Sequence, residues 1–200
     1  NAWLHALGSM LTAGWLAARQ GGTRYDLRLL ACAGLVHDIG MLHVDPVLQQ
    51  PEIALSAEQR RHLYTHPLVS VMMLERHHEY PRELLRAVLE HHETLDGSGY
   101  PRRIEGDALS PWGRVLSLTE VVTAMFAPER PLPSQRLSLV LRMNRQRYDA
   151  ALVREVLQVL QKLPALPAPA ALAPGADPLQ ALAALERALR AWPAEGAPER

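Results

Sequence analysis

The segment HHETLDGSGYP, residues 91–101, decides how this chain is read. Two adjacent imidazoles and an acid follow a run of helical character that opens at Pro81 and reaches about His92. A loop with two glycines, a tyrosine and a proline comes next. Glycine and proline punctuate chain direction, so the histidine pair stands at a helix end against a tightly shaped turn. Helix ends that converge on one cleft are a common way to build a metal cage in a bundle.

Outward from that point the chain reads as helical. Leu and Ala dominate and aromatic residues are only 5%, which favours packed helices over strands. Trp3, Leu4, Leu7, Leu11, Trp15 and Leu16 recur at helical spacing over residues 2 to about 20, and Gly21-Gly22 ends that helix. Leu27 to Val36 is apolar nearly all round and predicts a buried helix that stops near Gly40. A proline-containing loop, MLHVDPVLQQPE, follows. Ser56 and Gln59 have capping-box spacing for a third helix, and Pro67 suits the first turn of a fourth. Ser110-Pro111 opens a helix to about Phe126, APERPLP is a rigid loop, and Ser134 and Asp149 are read as caps of two more helices. No strand alternation and no internal repeat stand out.

The expected fold is therefore all-α, a bundle of about seven helices over residues 1–162. Residues 163–178 are so rich in Pro and Ala that they read as a semi-rigid linker. Beyond them, residues 179–200 predict a C-terminal helix with Leu179, Leu182, Leu185, Leu189 and Trp192 on one face. That face either packs back on the bundle or serves as a docking or homodimer contact.

Composition excludes several function classes. Lys+Arg and Asp+Glu both number 21, so no basic excess points to a nucleic-acid polymer or an anionic membrane surface. Cys32 is the only cysteine, which rules out an internal disulfide and a thiolate metal cluster. No apolar run approaches the roughly 18 residues of a membrane span, and no signal peptide is visible. The chain opens at Asn1 inside a helical pattern, so it reads as an excised piece whose flanks would be the place for a sensor or a membrane anchor.

Nine histidines leave His and carboxylate as the chemistry-bearing side chains. His37-Asp38 closes an apolar helix in LVHDIG, where an ionised carboxylate is costly unless paired or bound to metal. His91-His92 closes another helix. His66 sits at a proline-marked helix start, and His5 lies on the first long helix. Glu120 is the lone charge in VLSLTEVVTAM, either on an exposed stripe or buried with a partner. A His/carboxylate donor set without cysteine suits Fe or Mn, with Zn, Mg and Ni as alternatives. Two such cations side by side clamp a phosphate and activate the attacking water.

Taken in order, HDIG at 37–40, His66-Pro67 and HHETLDGSGYP at 91–101 resemble the HD-GYP family of bacterial HD-domain phosphohydrolases. RPLP at 130–133 and YDAALV at 148–153 extend the resemblance over about residues 1–160. The family implies an all-α fold, a bi- or trinuclear metal centre, and hydrolysis of cyclic di-GMP to pGpG or GMP in the bacterial cytoplasm. By position it implies His5, His37, Asp38, His66, His91 and His92 as ligands, with Glu120 where the family carries Asp. His37 and Asp38 would be the catalytic pair, with Asp38 bridging. Arg130 and Tyr100 would face the substrate, and Gly99-Tyr100-Pro101 would shape the cleft and a surface for a protein partner.

The chain departs from the family at four positions. Met41 replaces a lysine that approaches substrate phosphate, Asn1 replaces a glutamate of trinuclear members, Glu120 replaces aspartate, and Thr123 replaces a second acid. Two metals are expected rather than three. Arg102 or Arg103 is the candidate replacement for the missing lysine charge. His43, His62, His77 and His78 have no place in the pattern and read as surface or supporting residues. The alternative to an active enzyme is a domain that binds metal, with or without cyclic di-GMP, as a regulatory or partner-binding module.

Overall fold

The computed structural model describes residues 2–49, 53–77, 79–126 and 132–162. The expectations for Asn1, His78, Arg130, the linker 163–178 and the helix 179–200 lie outside the described residues. Eight α-helices are present among them: α1 Ala2–Arg19, α2 Arg24–Val36, α3 Ala57–Leu63, α4 His66–Glu75, α5 Arg82–Glu90, α6 Pro111–Met125, α7 Pro133–Met143 and α8 Ala150–Lys162. Seven run nine residues or more, and α3 is a two-turn helix. Among the described residues the only extended pairing is an isolated bridge between Asp96 and Glu105. None of these helices is long and apolar enough to cross a membrane.

Local chemistry sets most helix boundaries. Gly21 takes a left-handed conformation at φ 72°, and the Gly22 amide donates to the Ala17 carbonyl, closing α1. Ser56 and Gln59 form the expected reciprocal box, and Ser110 caps α6 through the Gly113 amide. Asp149 accepts from the Ala151 and Leu152 amides and so caps α8. Two expectations need correction. Helix α2 starts at Arg24 because Thr23 and Asp26 make a capping box with aspartate in the glutamate's place, a turn upstream of its apolar stripe. Ser134 lies inside α7, whose first turn begins at Pro133 after Leu132 turns left-handed at φ 50°.

The bundle core joins Leu16, Leu30, Leu84, Leu118, Leu137 and Leu141 from α1, α2, α5, α6 and α7. Helix α1 packs along α2 and α6, while α5 lies between α4 and α6. Helix α2 is buried on one face only, since Leu35 is 38% exposed. The buried stripes matter for function. On α2 the stripe is Leu30, Ala33, Gly34 and then His37; on α5 it is Leu84, Ala87, Val88 and then His91. Both follow i, i+3, i+4, i+7 spacing, so each histidine is the inward continuation of an apolar face past its helix end. On α4 His66 begins the buried line that continues through Ser70 and Leu74.

Candidate metal centre

The structure brings seven of the sequence-selected side chains into one place. Asp38, His66, His91 and His92 form one group whose ligand atoms lie within 4.8 Å of one another, and His5, His37 and Glu120 form a second. Asp38 faces both. Its Oδ1 lies 3.2 Å from His66 Nε2 and 3.5 Å from His91 Nε2, and its Oδ2 lies 3.6 Å from His37 Nε2 and 3.7 Å from His5 Nε2. Glu120 Oε2 is 3.0 Å from His5 Nε2 and 3.4 Å from His37 Nε2. The extra methylene of glutamate thus carries this carboxylate to the imidazoles of α1 and the α2 end.

Helix ends orient the imidazoles. His37 Nδ1–H donates to the Gly34 carbonyl at 2.8 Å, His66 Nδ1–H to Leu63 at 2.8 Å, and His91 Nδ1–H to Val88 at 2.6 Å. All three carbonyls belong to the last turns of α2, α3 and α5, where intrahelical donors run out. A carbonyl can only accept, so the bond places a ring proton on Nδ1 and, in the neutral ring, leaves the Nε2 lone pair facing the site. His66 Nε2 and His91 Nε2 then stand 3.2 Å apart, acceptor against acceptor.

The carboxylates deepen this deficit of donors. Asp38 Oδ1 and Glu120 Oε2 are enclosed and receive no hydrogen bond among the described residues. Such a cluster is stable only with positive charge in its middle. Protons are one source. Burial disfavours charge on His37, but Asp38 and Glu120 outweigh it and push its pKa up to about 9. The Glu120 carboxylate, 3.0 Å from its Nε2, likewise raises His5. Burial and the neighbouring His91 hold His92 well below the usual imidazole range, so His92 offers a neutral ligand nitrogen. Divalent cations are the other source. The orphan oxygens, the inward Nε2 atoms and the all His/carboxylate donor set fit them.

Two glycines permit the close approaches that assemble the site. A Cβ on Gly40 would collide with the His66 carbonyl, and the Gly40 amide donates to Ser70 Oγ at 2.8 Å, seating the turn after Asp38 on α4. A Cβ on Gly99 would meet the His92 carbonyl oxygen and Glu93 Cα at 2.5 Å, so the Gly-Tyr-Pro segment lies flat against the back of the ligand pair. Tyr100 then stacks on His92, with ring centroids 4.5 Å apart.

Comparison with known proteins agrees with this arrangement. The HD-domain family description matches residues 4–152. The chain belongs to the HD-domain family. A 3'3'-cGAMP-specific phosphodiesterase 1 of Vibrio cholerae serotype O1 is 31% identical over 140 residues, 64% of this chain and 30% of that protein. The cyclic di-GMP phosphodiesterase response regulator RpfG of Xanthomonas campestris pv. campestris is 27% identical over 117 residues, 58% of this chain and 31% of that protein. The chain thus spans under a third of these curated relatives. A solved HDG"Y"P protein from Bdellovibrio bacteriovorus shares the fold at TM-score 0.69, with 18% identity over 80% of this chain and 53% of that one. The HD domain of the L. monocytogenes phosphodiesterase PgpH aligns at TM-score 0.60, with 15% identity over 80% of this chain and 89% of that one.

Within this HD domain, sequence reasoning missed four residues. Glu90 and Glu93 are fully buried. Glu90 takes hydrogen bonds from Arg86, Arg102 and both the amide and hydroxyl of Ser110; Glu93 accepts from the amides of Arg102, Arg103 and Ile104. Together they clamp the loop that follows the histidine pair. The Arg102 guanidinium is therefore engaged by Glu90 at 2.9 Å, and Arg103 sits in the left-handed region at φ 54° with its amide on Glu93. Tyr64 stacks on the other side of Tyr100 at 3.9 Å and 6°, making a three-ring pile with His92. Arg147 lines the same cavity of about 170 Å³ as His91, His92 and Glu120. Only the adjacency of Arg147 to YDAALV hinted at this in sequence. Thr123 turns its hydroxyl to the Thr119 carbonyl at 2.9 Å and to Ser9 of α1. His43, His62 and His77 are exposed and belong to neither ligand group.

Proposed function

We propose that this domain is a metal-dependent phosphodiesterase that opens cyclic di-GMP to linear pGpG or GMP in the bacterial cytoplasm. The observation that carries the reading is Asp38, one carboxylate whose two oxygens are divided between two groups of ligand atoms. In this reading His66, His91, His92 and Asp38 hold one divalent ion, and His5, His37, Glu120 and Asp38 hold a second. The donor set favours Fe or Mn. Bound there, a pair of ions supplies charge neutralisation at the phosphate and activation of the attacking water.

The chain's own residues provide the rest. The last-turn carbonyls hold Nδ1 of three rings and keep their Nε2 atoms aimed into the site. Tyr100 covers His92 and excludes water from that side. Burial, with the negative charges of Glu120 and Asp38, raises the Tyr100 pKa, so its phenol remains a neutral donor in the cavity wall. Arg130, outside the described residues, is assigned to phosphate or guanine by the family pattern alone. A protein partner at the Gly-Tyr-Pro segment would meet exposed Arg102 and Arg103 beside it, because Tyr100 is enclosed between two rings. The names of the relatives support a cyclic dinucleotide as substrate class, and they divide between 3'3'-cGAMP and cyclic di-GMP.

The test is a turnover assay on protein loaded anaerobically with Fe(II) or Mn(II), run against cyclic di-GMP, cyclic di-AMP and 3'3'-cGAMP. Linear product from cyclic di-GMP, lost in His91→Ala, is the expected outcome. A second reading is favoured by Met41 and Thr123, which remove a cation and an acid from the site. It holds that the domain binds metal and nucleotide without turnover. Full metal occupancy with no product from any of the three nucleotides selects that reading.

A further inference from the structure

The site as described is rich in acceptors and poor in fixed positive side chains. Met41 brings no charge, and the Arg102 guanidinium is bound by Glu90. One cation does face the cavity. Among the described residues, Arg147 is the only Lys or Arg that lines it, together with His91, His92, Tyr100 and Glu120. Its Nε is buried and has no hydrogen-bond partner among the described residues. The nearest carboxylate oxygen, Asp96 Oδ2, lies 4.0 Å away, beyond a hydrogen bond. The other oxygen of Asp96 is already used by Thr94, the Ser98 amide and the Ser98 hydroxyl at 2.7–3.1 Å.

The side chain as a whole is 37% exposed, but its enclosed Nε–H without an acceptor is costly, and a planar guanidinium matches the paired oxygens of a phosphate. The backbone of Arg147 is fixed for such a role. Its carbonyl accepts from the Leu95 amide at 3.0 Å and its own amide donates to Asn144, so it is tied to the loop that follows the histidine pair. The cavity is smaller than the roughly 300–1,000 Å³ of sites that enclose a whole ligand, which suits one phosphodiester group rather than a full dinucleotide.

We propose that Arg147 is a phosphate-binding residue of this site, its guanidinium meeting the charged oxygens of the nucleotide's phosphodiester above His91, His92 and Glu120. The inference rests on the reading of the cavity as a phosphodiester site. It assigns the missing lysine charge to the segment before α8, and neither to Arg102 nor to Arg103.

The probe is inorganic phosphate, titrated by calorimetry into the full chain, both Mn(II)-loaded and metal-free. Metal content and melting temperature are read on the same samples. Arg147→Gln is expected to keep its metal and to weaken phosphate binding by about tenfold or more, the size of a lost charge-assisted bond. Arg147→Lys is expected to recover part of that loss, and the KM for a hydrolysed nucleotide is expected to rise in Arg147→Gln more than kcat falls. Unchanged phosphate affinity in folded Arg147→Gln, or a wild-type chain that binds no phosphate in either form, overturns the proposal. Should Arg147→Gln not fold, the wild-type chain is treated with phenylglyoxal and mapped by peptide mass. Phosphate is expected to shield Arg147 and to leave Arg102 as reactive as before; equal modification of Arg147 with and without phosphate overturns the proposal. A wild-type chain that takes up no metal refutes the metal-centre reading, and the metal-free phosphate titration still decides the role of Arg147.

Discussion

Two pairs of carboxylates lie close together in this molecule and are treated in opposite ways. Glu90 and Glu93 are at 0% exposure, and protein donors supply them: guanidinium groups, a hydroxyl and main-chain amides. Asp38 and Glu120 stand nearby, each with one enclosed oxygen that receives no hydrogen bond among the described residues, facing imidazole Nε2 atoms. A buried carboxylate is tolerated when its charge is met. Where the protein meets it, the carboxylate is a clamp. Where the protein leaves it unmet among inward ring nitrogens, the carboxylate is available to a cation. Counting donors separates the two roles.

The sharpest way to break this comparison is Asp38→Asn. Turnover is expected to fall on the order of a thousandfold, about 4 kcal/mol, through loss of the carboxylate shared by both groups. The rise in melting temperature that Mn(II) gives the wild-type chain should also vanish, since only a bound ion stabilises by mass action. An Asp38→Asn protein that still gains stability from Mn(II) would place the cations elsewhere.

The opposite signature is expected of Glu93→Gln. An amide nitrogen would face the amides of Arg102, Arg103 and Ile104, which now donate to carboxylate oxygens. The cost is about 3 kcal/mol of stability. Urea unfolding should show it equally with Mn(II) and with a chelator. A loss seen only in the presence of metal would move Glu93 from the clamp to the ligand class.

The smallest expected effect concerns the ring pile behind His92. Tyr64→Ala removes the outer ring and should cost about 1 kcal/mol, while Tyr64→Phe should be nearly silent because the stack uses the ring face. The same change should weaken metal affinity by about fivefold, as loosened supporting contacts do at metal sites. A Tyr64→Ala protein with full metal affinity would show that Tyr100 holds His92 without help.

What was legible in sequence follows from how local each signal is. The Ser56–Gln59 box, Pro67 in a first turn and the Ser110 cap all act within four residues, and each forms as read. Asp26 escaped because the reading of α2 began at the apolar stripe from Leu27, one turn inside the helix. Ser134 has the residue type of a cap, but Leu132 and Pro133 set that helix start through backbone conformation. The ligand candidates were legible because HDIG, His66-Pro67 and HHETLDGSGYP are short ordered motifs at helix ends. The clamp was not. In HHET the glutamate looks like part of the chemistry, and its partners lie nine to eleven residues on, in amides that any sequence possesses.

The sequence by itself determined the helical class, most caps, and which imidazoles and acids were available, because periodicity and capping depend on neighbours along the chain. The tertiary structure alone decided what each charge does. Asp38 divides its oxygens between two groups, Arg102 is taken by Glu90, and Arg147 reaches the cavity from the segment before α8. The physical reason is that the state of a buried charge depends on the donors that surround it in space, and those donors come from parts of the chain that no local pattern connects.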